Sequence, residues 1–398
     1  MPDLTTRVVS SLASVDAARW NALDHGPSPF TEYGFLRALE RSGSVGAEAG
    51  WEPFYVLVEA TGPESAGRAE GGEIAAPRLV GAVAAYVKSH SYGEYIFDWA
   101  WARAAERAGL AYYPKLVVAV PMTPATGPRL LVAPDVSRGP VVARLVDGVR
   151  ALAERRRCMS IHWLFTTAAE QAELRDHGFM ARASFQYHWH NAGYASFDEF
   201  LARMTSRRRK QLRKERARVH ACAPAVEWVP GAALTAEDIA TIDRFYRTTT
   251  LNHYGQDYLQ PGFFEAVVAG QPERVLWARV RRDERTIAGA LYFATDAALY
   301  GRYWGCSEEV EFLHFEAAYY AAIERCIVRK TPLFEAGAQG EHKLVRGFAP
   351  ASTYSSHWFR HPGFAAAIER FLGEEAAAVR HNMAELATLL PFRADVDS

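Results

Sequence analysis

The chain has 398 residues, with 45 Lys and Arg against 46 Asp and Glu, for a formal net charge of −1. That length can bury a sizeable core and predicts two or three domains. The charge balance excludes a global field that would draw in nucleic acid, so any basic surface must be local. Hydrophobic residues at 49% and aromatics at 12% exclude a disordered chain. The four cysteines, Cys158, Cys222, Cys306 and Cys326, form no C-x-x-C pair. Neither a disulfide framework nor a structural zinc is therefore expected, and no metal or cofactor is assigned. No secretory leader pattern and no membrane-length apolar run is present, so a cytoplasmic location is expected.

In chain order, residues 14–42 read as helical, interrupted at Pro27 and Pro29. A strand is predicted over 51–60, an exposed hairpin loop over 61–77, and a second strand over 79–88. By alternation Lys88, His90, Tyr92 and Glu94 share one strand face, with Lys115 joining from the next apolar strand. That face is either an acceptor-binding groove or a plain half-exposed surface. A helix over 141–156, a strand over 160–165, a helix ending at Gly178 and a strand over 184–190 complete the first half. His188 and His190 share a face but lack a third ligand for a metal.

Ser196 and Glu199 have capping-box spacing and open a helix predicted to run to about residue 220. Residues 207–218 hold eight Lys and Arg and one acid, Glu215. Arg207, Lys210, Lys214 and Arg218 fall on its exposed face. So many like charges with so little acid favour a polyanionic partner, either tRNA or a precursor diphosphate. Three antiparallel strands are predicted over 275–280, 287–293 and 299–304, the last carrying Tyr300 and Arg302. A helical stripe holds Phe312, Phe315, Tyr319 and Ile323, with Glu316 on the same side and Arg302 as its available partner. A short strand over 333–336 carries Glu335 and empties into Gln339-Gly340-Glu341-His342-Lys343, with Arg346 just beyond. Aminolysis of an ester needs a deprotonated amine and a stabilised oxyanion. Glu341 or His342 would accept the proton, and Lys343 would supply the positive charge. A long helix over 363–390, broken at Gly373, closes the chain.

Gly81-Ala82 and Gly289-Ala290, then Tyr92-Gly93 and Tyr300-Gly301, repeat at an equal offset of 208 residues (289 − 81 and 300 − 92). The order of predicted elements repeats as well, which favours duplication. Each half resembles the GNAT acyltransferase fold, and the expected domains are 1–192 and 193–398. The phrases KSHSYGEYIFDWAW, GRYWGC, FLHFEAAYY and FEAGAQGEHKLVRGF are similar to the peptidoglycan biosynthesis/recognition branch of the FemAB-like family. The resemblance implies an α/β fold of two tandem GNAT-like domains with a basic helical segment between them. It also implies transfer from aminoacyl-tRNA to an amine acceptor such as a cell-wall precursor. The acidic run Glu308-Glu309-Val310-Glu311 stands where an acetyl-CoA enzyme would have its pyrophosphate loop, which disfavours CoA. An N-acyltransferase using another thioester and a non-catalytic precursor-binding protein remain the alternatives.

Overall fold

The computed structural model describes residues 3–61, 77–222, 226–252, 255, 257–338 and 340–393. Most of the expected 61–77 loop, and Gln339, lie outside the described residues. Two compact units emerge, Met1–Ser184 with Thr353–Ala377, and Phe185–Ser352 with Ala378–Ser398. This differs from a single cut at 192/193, because each unit includes a strand from the other half of the sequence.

In the first unit, β1 (Asp3–Val9), β2 (Glu52–Thr61) and β3 (Arg78–Lys88) form an antiparallel meander. β4 (Lys115–Val118) runs antiparallel to β3, and the two-residue β5 (Leu131–Val132) also pairs with β3. β6 (Ser160–Thr166) lies parallel to β4, as a crossover connection requires. The helices are α1 (Ala17–Asn21), α2 (Tyr33–Arg41), α3 (Trp99–Arg107), α4 (Arg138–Arg155) and α5 (Ala168–Asp176). α4 is the crossover: Val141, Leu145 and Val149 pack with Val56, Val83, Leu116 and Ile161 in one apolar core. The far edge of β6 pairs with residues 354–359 of the late strand Ala349–Phe359.

In the second unit, β7 (Met180–His190, from Phe185 on) precedes α6 (Phe197–Arg203) and α7 (Ser206–Cys222). β8 (Glu227–Pro230), α8 (Ala236–Asn252), α9 (Phe263–Gly270), β9 (Val275–Arg282), β10 (Arg285–Ala294) and β11 (Ala298–Cys306) follow. β8 to β11 pair antiparallel in sequence order. α10 (Leu313–Phe315), a π-helical turn (Glu316–Tyr320) and α11 (Ala321–Arg329) cross over to β12 (Leu333–Glu335), parallel to β11. β12 pairs antiparallel with β7. The late strand is β13, and α12 (Pro362–Thr388) follows it. So the two His-Trp strands have exchanged places: His357-Trp358 closes against β6, while His188-Trp189 closes against β12.

The helix expected from Ser196 onward is two helices. Met204 is extended (ψ 159°) and bridges to Phe392, while Thr205 N–H donates to Pro391 O, so the chain turns between α6 and α7. Gly373 does not break α12, which runs through it. The repeat holds only in part. Gly81 and Gly289 occupy equivalent strands, β3 and β10. Tyr300-Gly301 lies in β11, but Tyr92-Gly93 lies outside any strand, because α3 and its flanking loops precede β4. No helix among the described residues is long and apolar enough to cross a membrane.

A Cβ on Gly289 would sit 2.2 Å from the buried Trp277 ring, whereas one on Gly373 would meet nothing within 4 Å. Gly289→Ala should therefore destabilise the fold by roughly 1–3 kcal/mol through overpacking. Gly373→Ala, in a helix interior, should stabilise it by about 0.5–1 kcal/mol. Urea denaturation of the two variants should show midpoint shifts of opposite sign.

Candidate active site

The chemistry-bearing residues of the second unit collect at the carboxyl end of β12, beside Tyr300 and Arg302 of β11 and His188 of β7. Leu291 pairs with Tyr303 and Tyr292 with Gly301, so Arg302 is the extra residue of a β-bulge. Such bulges re-aim side chains beside functional sites. Tyr300 is aligned with Glu335, and Glu335 with His188, so the three side chains share one sheet face. All three are buried. His188 Nε2 lies 4.0 Å from Glu335 Oε1. Burial, then His190 and Lys343, hold that imidazole down at about 3, so the contact joins a neutral ring to a carboxylate and is not an ion pair.

Beyond β12 the chain turns through Gly337 (φ +85°) and Gly340 (φ +115°) into a 3-10 turn, Glu341–Arg346. These left-handed conformations are ones only glycine adopts cheaply. The turn swings Lys343 inward until it is only 1% exposed, with Nζ donating to Gly337 O at 2.7 Å. Among the described residues no carboxylate lies within ion-pair distance of it. Burial, reinforced by the charge on Arg302, lowers the Lys343 ammonium to about 7. The neighbouring His342 ring, 2.9 Å from Tyr319 Oη, is also lowered, by burial and then by Arg346 and Lys343. Glu341 is exposed.

Arg346 holds this turn in place. Its Nη1 donates to His342 O at 2.8 Å, Nε to Tyr320 Oη at 2.9 Å and Nη2 to Glu215 Oε2 at 3.1 Å. Its guanidinium also lies 3.5 Å over the Phe315 ring. Tyr320 donates to Glu215, so the π turn, the 3-10 turn and α7 share one buried network. π turns inserted in α-helices are frequent at functional sites.

The expected pairing of Glu316 with Arg302 is corrected. Glu316 instead accepts both arms of Arg216, at 3.0 Å from Nε and 2.8 Å from Nη2. Arg216 also reaches Glu324 at 2.8 Å, and His220 approaches Glu316 at 3.4 Å. Part of the basic run therefore faces inward. Arg213 pairs with Asp198, and Arg218, though exposed, pairs with Glu311, each at 2.7 Å. Arg207, Lys210 and Lys214 are exposed and have no ion-pair partner among the described residues. The acids that neutralise Arg213, Arg216 and Arg218 come from other elements, which a reading of the run alone does not include.

The shared strand face expected for Lys88, His90, Tyr92 and Glu94 is also corrected, because β3 ends at Lys88. In the first unit, Lys88 and Lys115 are fully buried. Lys115 Nζ lies 2.5 Å from both Glu94 Oε2 and Asp98 Oδ2 and 2.7 Å from Ser91 Oγ. Lys88 sits 3.5 Å over Trp51, donates to Tyr92 O at 3.1 Å, and is lowered to about 7 by burial despite Glu94. Burial would raise Asp98, but Lys115 outweighs it and holds that carboxyl at about 2. These cations pin residues 91–98 internally, while the Tyr92 side chain is 52% exposed and His90 only partly so.

The structure thus unites Tyr300, Arg302, Glu335, His342, Lys343 and Arg346, and pairs Glu316 of the π turn with Arg216 of α7. His188, Tyr319, Tyr320, Glu215 and Arg216 were missed from the sequence. One signal was available: Glu215, the sole acid of the run, falls on the stripe of Leu212 and Val219 and is buried with them.

Lys343 generates a test that needs no assay of activity. Its folded pKa of about 7 lies below the ordinary lysine value of about 10.4. The unfolded chain therefore binds more protons between those values, and the lysine's destabilisation is complete below pH 7 and fades as pH rises. Wild-type stability should rise relative to Lys343→Met by about 1.4 kcal/mol per pH unit between roughly pH 7 and 9. Denaturation curves of both proteins across that range check it.

A family model described as peptidoglycan biosynthesis/recognition, the FemAB-like family, matches residues 11–394. No curated protein matches. Among solved structures, FemX is 10% identical, with 91% of this chain and 100% of FemX covered, at a TM-score of 0.51. The C-terminal domain of a putative lysylphosphatidylglycerol synthetase from Agrobacterium fabrum is 11% identical, over 64% and 79%, at 0.45. A tandem GNAT protein from the clavulanic acid biosynthesis pathway is 11% identical, over 90% and 99%, at 0.43. At such identity the FemX match speaks to fold alone, and it agrees with the mixed α/β architecture described above. The family match supports a peptidoglycan-related acyltransferase in general. Spanning all but the ends of the sequence, it places this chain in the FemAB-like family of peptidoglycan biosynthesis and recognition.

Proposed function

We propose that the chain is an aminoacyltransferase that moves an aminoacyl group from tRNA to the amine of a cell-wall precursor in the cytoplasm. The observation that carries this reading is Lys343, a buried amine lowered to about 7 beside Arg302. At neutral pH about half of it is free base, the poise that suits proton transfer. The roles expected from the sequence therefore change hands: Lys343 accepts the proton, and Arg302 supplies the fixed positive charge.

The acceptor reacts as its free amine, its ammonium proton having gone to solvent; the nitrogen attacks the ester carbonyl and passes its next proton to Lys343 Nζ. Arg302 offsets charge on the tetrahedral oxyanion. As the C–O bond to the ribose breaks, Lys343 returns the proton to the leaving hydroxyl, leaving an amide and uncharged tRNA. His342, His188 and Glu335 line the same corner and fix its polarity. Arg207, Lys210 and Lys214, exposed together on α7, form the electrostatic contact to the tRNA backbone. The stretch after β11 supports an ester donor over CoA because residues 305–315 hold a single glycine, Gly305, and not the spaced glycines of a pyrophosphate-binding loop.

Incubation with charged tRNA and an amine-bearing precursor should yield amide product that RNase abolishes; RNase-insensitive transfer from a thioester would favour the other acyltransferase. Lys343→Met should lower kcat roughly a hundredfold or more and remove the kinetic pKa near 7, with Glu341→Gln close to wild type. Wild-type kinetics in Lys343→Met would move the reaction elsewhere. Replacing Arg207, Lys210 and Lys214 by Ala should weaken tRNA binding and reduce its log–log salt slope by about one per lost phosphate contact.

A further inference from the structure

In the first unit, residues 91–99 reverse the usual polarity of a surface loop. Ser91, Glu94 and Asp98 are buried, whereas Phe97 is 48% and Trp99 46% exposed, and Tyr92 also faces water. These are three of the four exposed Phe, Tyr or Trp side chains among the described residues, Phe371 being the fourth. The arrangement is held firmly. Lys115 takes both carboxylates, and Arg182 Nη1 donates to Ile96 O at 2.8 Å. Asp98 stands at the N-cap of α3 but gives its side chain to Lys115 and Tyr112 instead of capping the helix. Tyr95 (φ +59°) and Phe97 (φ +52°) are left-handed, a strained conformation for a residue with a side chain. Strain and lost capping both serve to keep the acids in and the rings out.

α3 continues this face. Trp101 and Ala105 pack inward with Phe359, Ile368 and Leu372. The opposite stripe carries Trp99, Arg103 and Arg107 at four-residue spacing, one above another. Both arginines are exposed, with no carboxylate within ion-pair distance among the described residues. Glu106 is the one acid of the helix, against these two cations. Phe97 and Trp99 meet edge to face at 5.6 Å, so an aromatic knob adjoins a cationic stripe. A sugar would need polar side chains beside the rings, and here they are turned inward and already bonded. A bilayer interface needs rings at headgroup depth and cations for lipid phosphates, which is what this face offers.

We propose that this face docks the first unit on an anionic phospholipid surface, with Phe97 and Trp99 at the headgroup–acyl boundary and Arg103 and Arg107 on lipid phosphates. It shares no residue with the proposed acyl transfer, and its test reads vesicle binding alone, so either reading can fail without the other.

The full chain is floated with vesicles of mixed phosphatidylglycerol and phosphatidylcholine, and with phosphatidylcholine alone. Partitioning should be at least about tenfold stronger on the anionic vesicles and should fall with added salt. Phe97→Ser with Trp99→Ser should weaken it by about tenfold or more with the melting temperature retained. Arg103→Gln with Arg107→Gln should bring anionic vesicles close to the phosphatidylcholine level. Ala100→Glu, exposed in the first turn of α3, suits the helix dipole yet should weaken binding to anionic lipid. Equal partitioning on both vesicles, or wild-type binding by the aromatic variant or by Ala100→Glu, would overturn the proposal. So would loss of binding in the Arg207, Lys210 and Lys214 to Ala variant, which would put the contact on α7. Single-stranded RNA that binds wild type but not the aromatic variant, without vesicle binding, would assign the face to nucleic acid instead.

Discussion

The second unit depends on a single guanidinium. Arg346 satisfies a main-chain carbonyl, a phenol and a carboxylate at once, and each belongs to a different element: the 3-10 turn, the π turn and α7. Each acceptor would be costly to bury without a donor, and the arginine would be costly to bury without them. The network is therefore stable only when complete, and the position of Lys343, three residues away on the same turn, follows from it.

Lysines in the two units show how completely neighbours decide a buried ammonium. Lys115 and Lys343 are both almost inaccessible. Lys115 touches two carboxylates, and they raise its pKa against the pull of burial. Lys343 touches a carbonyl and lies near Arg302, so burial dominates and its pKa falls to about 7. The first arrangement fixes a loop, whereas the second leaves an amine able to exchange protons at neutral pH. Lys88, with Glu94 on one side and Lys115 nearby, also falls to about 7 but lies over an indole in the first unit's interior.

Much of the fold was legible because strands and helices have periods that residues reveal locally. The run Leu299 to Trp304 alternates and is within β11, and the apolar stripe from Phe312 to Ile323 is the crossover before β12. Prediction failed where a local pattern met a distant partner. The alternation of Lys88, His90, Tyr92 and Glu94 did not become a strand, because Glu94 and Asp98 turn inward to Lys115. The helix from Ser196 was interrupted because Met204 pairs with Phe392, 188 residues later (392 − 204). The basic run misled in part for the same reason: the acids that neutralise Arg213, Arg216 and Arg218 come from outside it.

By itself the sequence determined the α/β class, the family resemblance, and the loop where acid, base and cation gather between glycines. These are carried by period, composition and spacing, which need no partner to be read. Tertiary structure decided which strand closes which unit, which carboxylate Arg216 takes, and that Lys343 is buried. All three depend on residues far apart in the chain, because strand pairing, ion pairing and desolvation are set by what arrives in space. A lysine in a hydrophilic loop reads as a surface cation. The turn that carries it inward, away from water and with no carboxylate in ion-pair reach among the described residues, lowers its pKa to about 7.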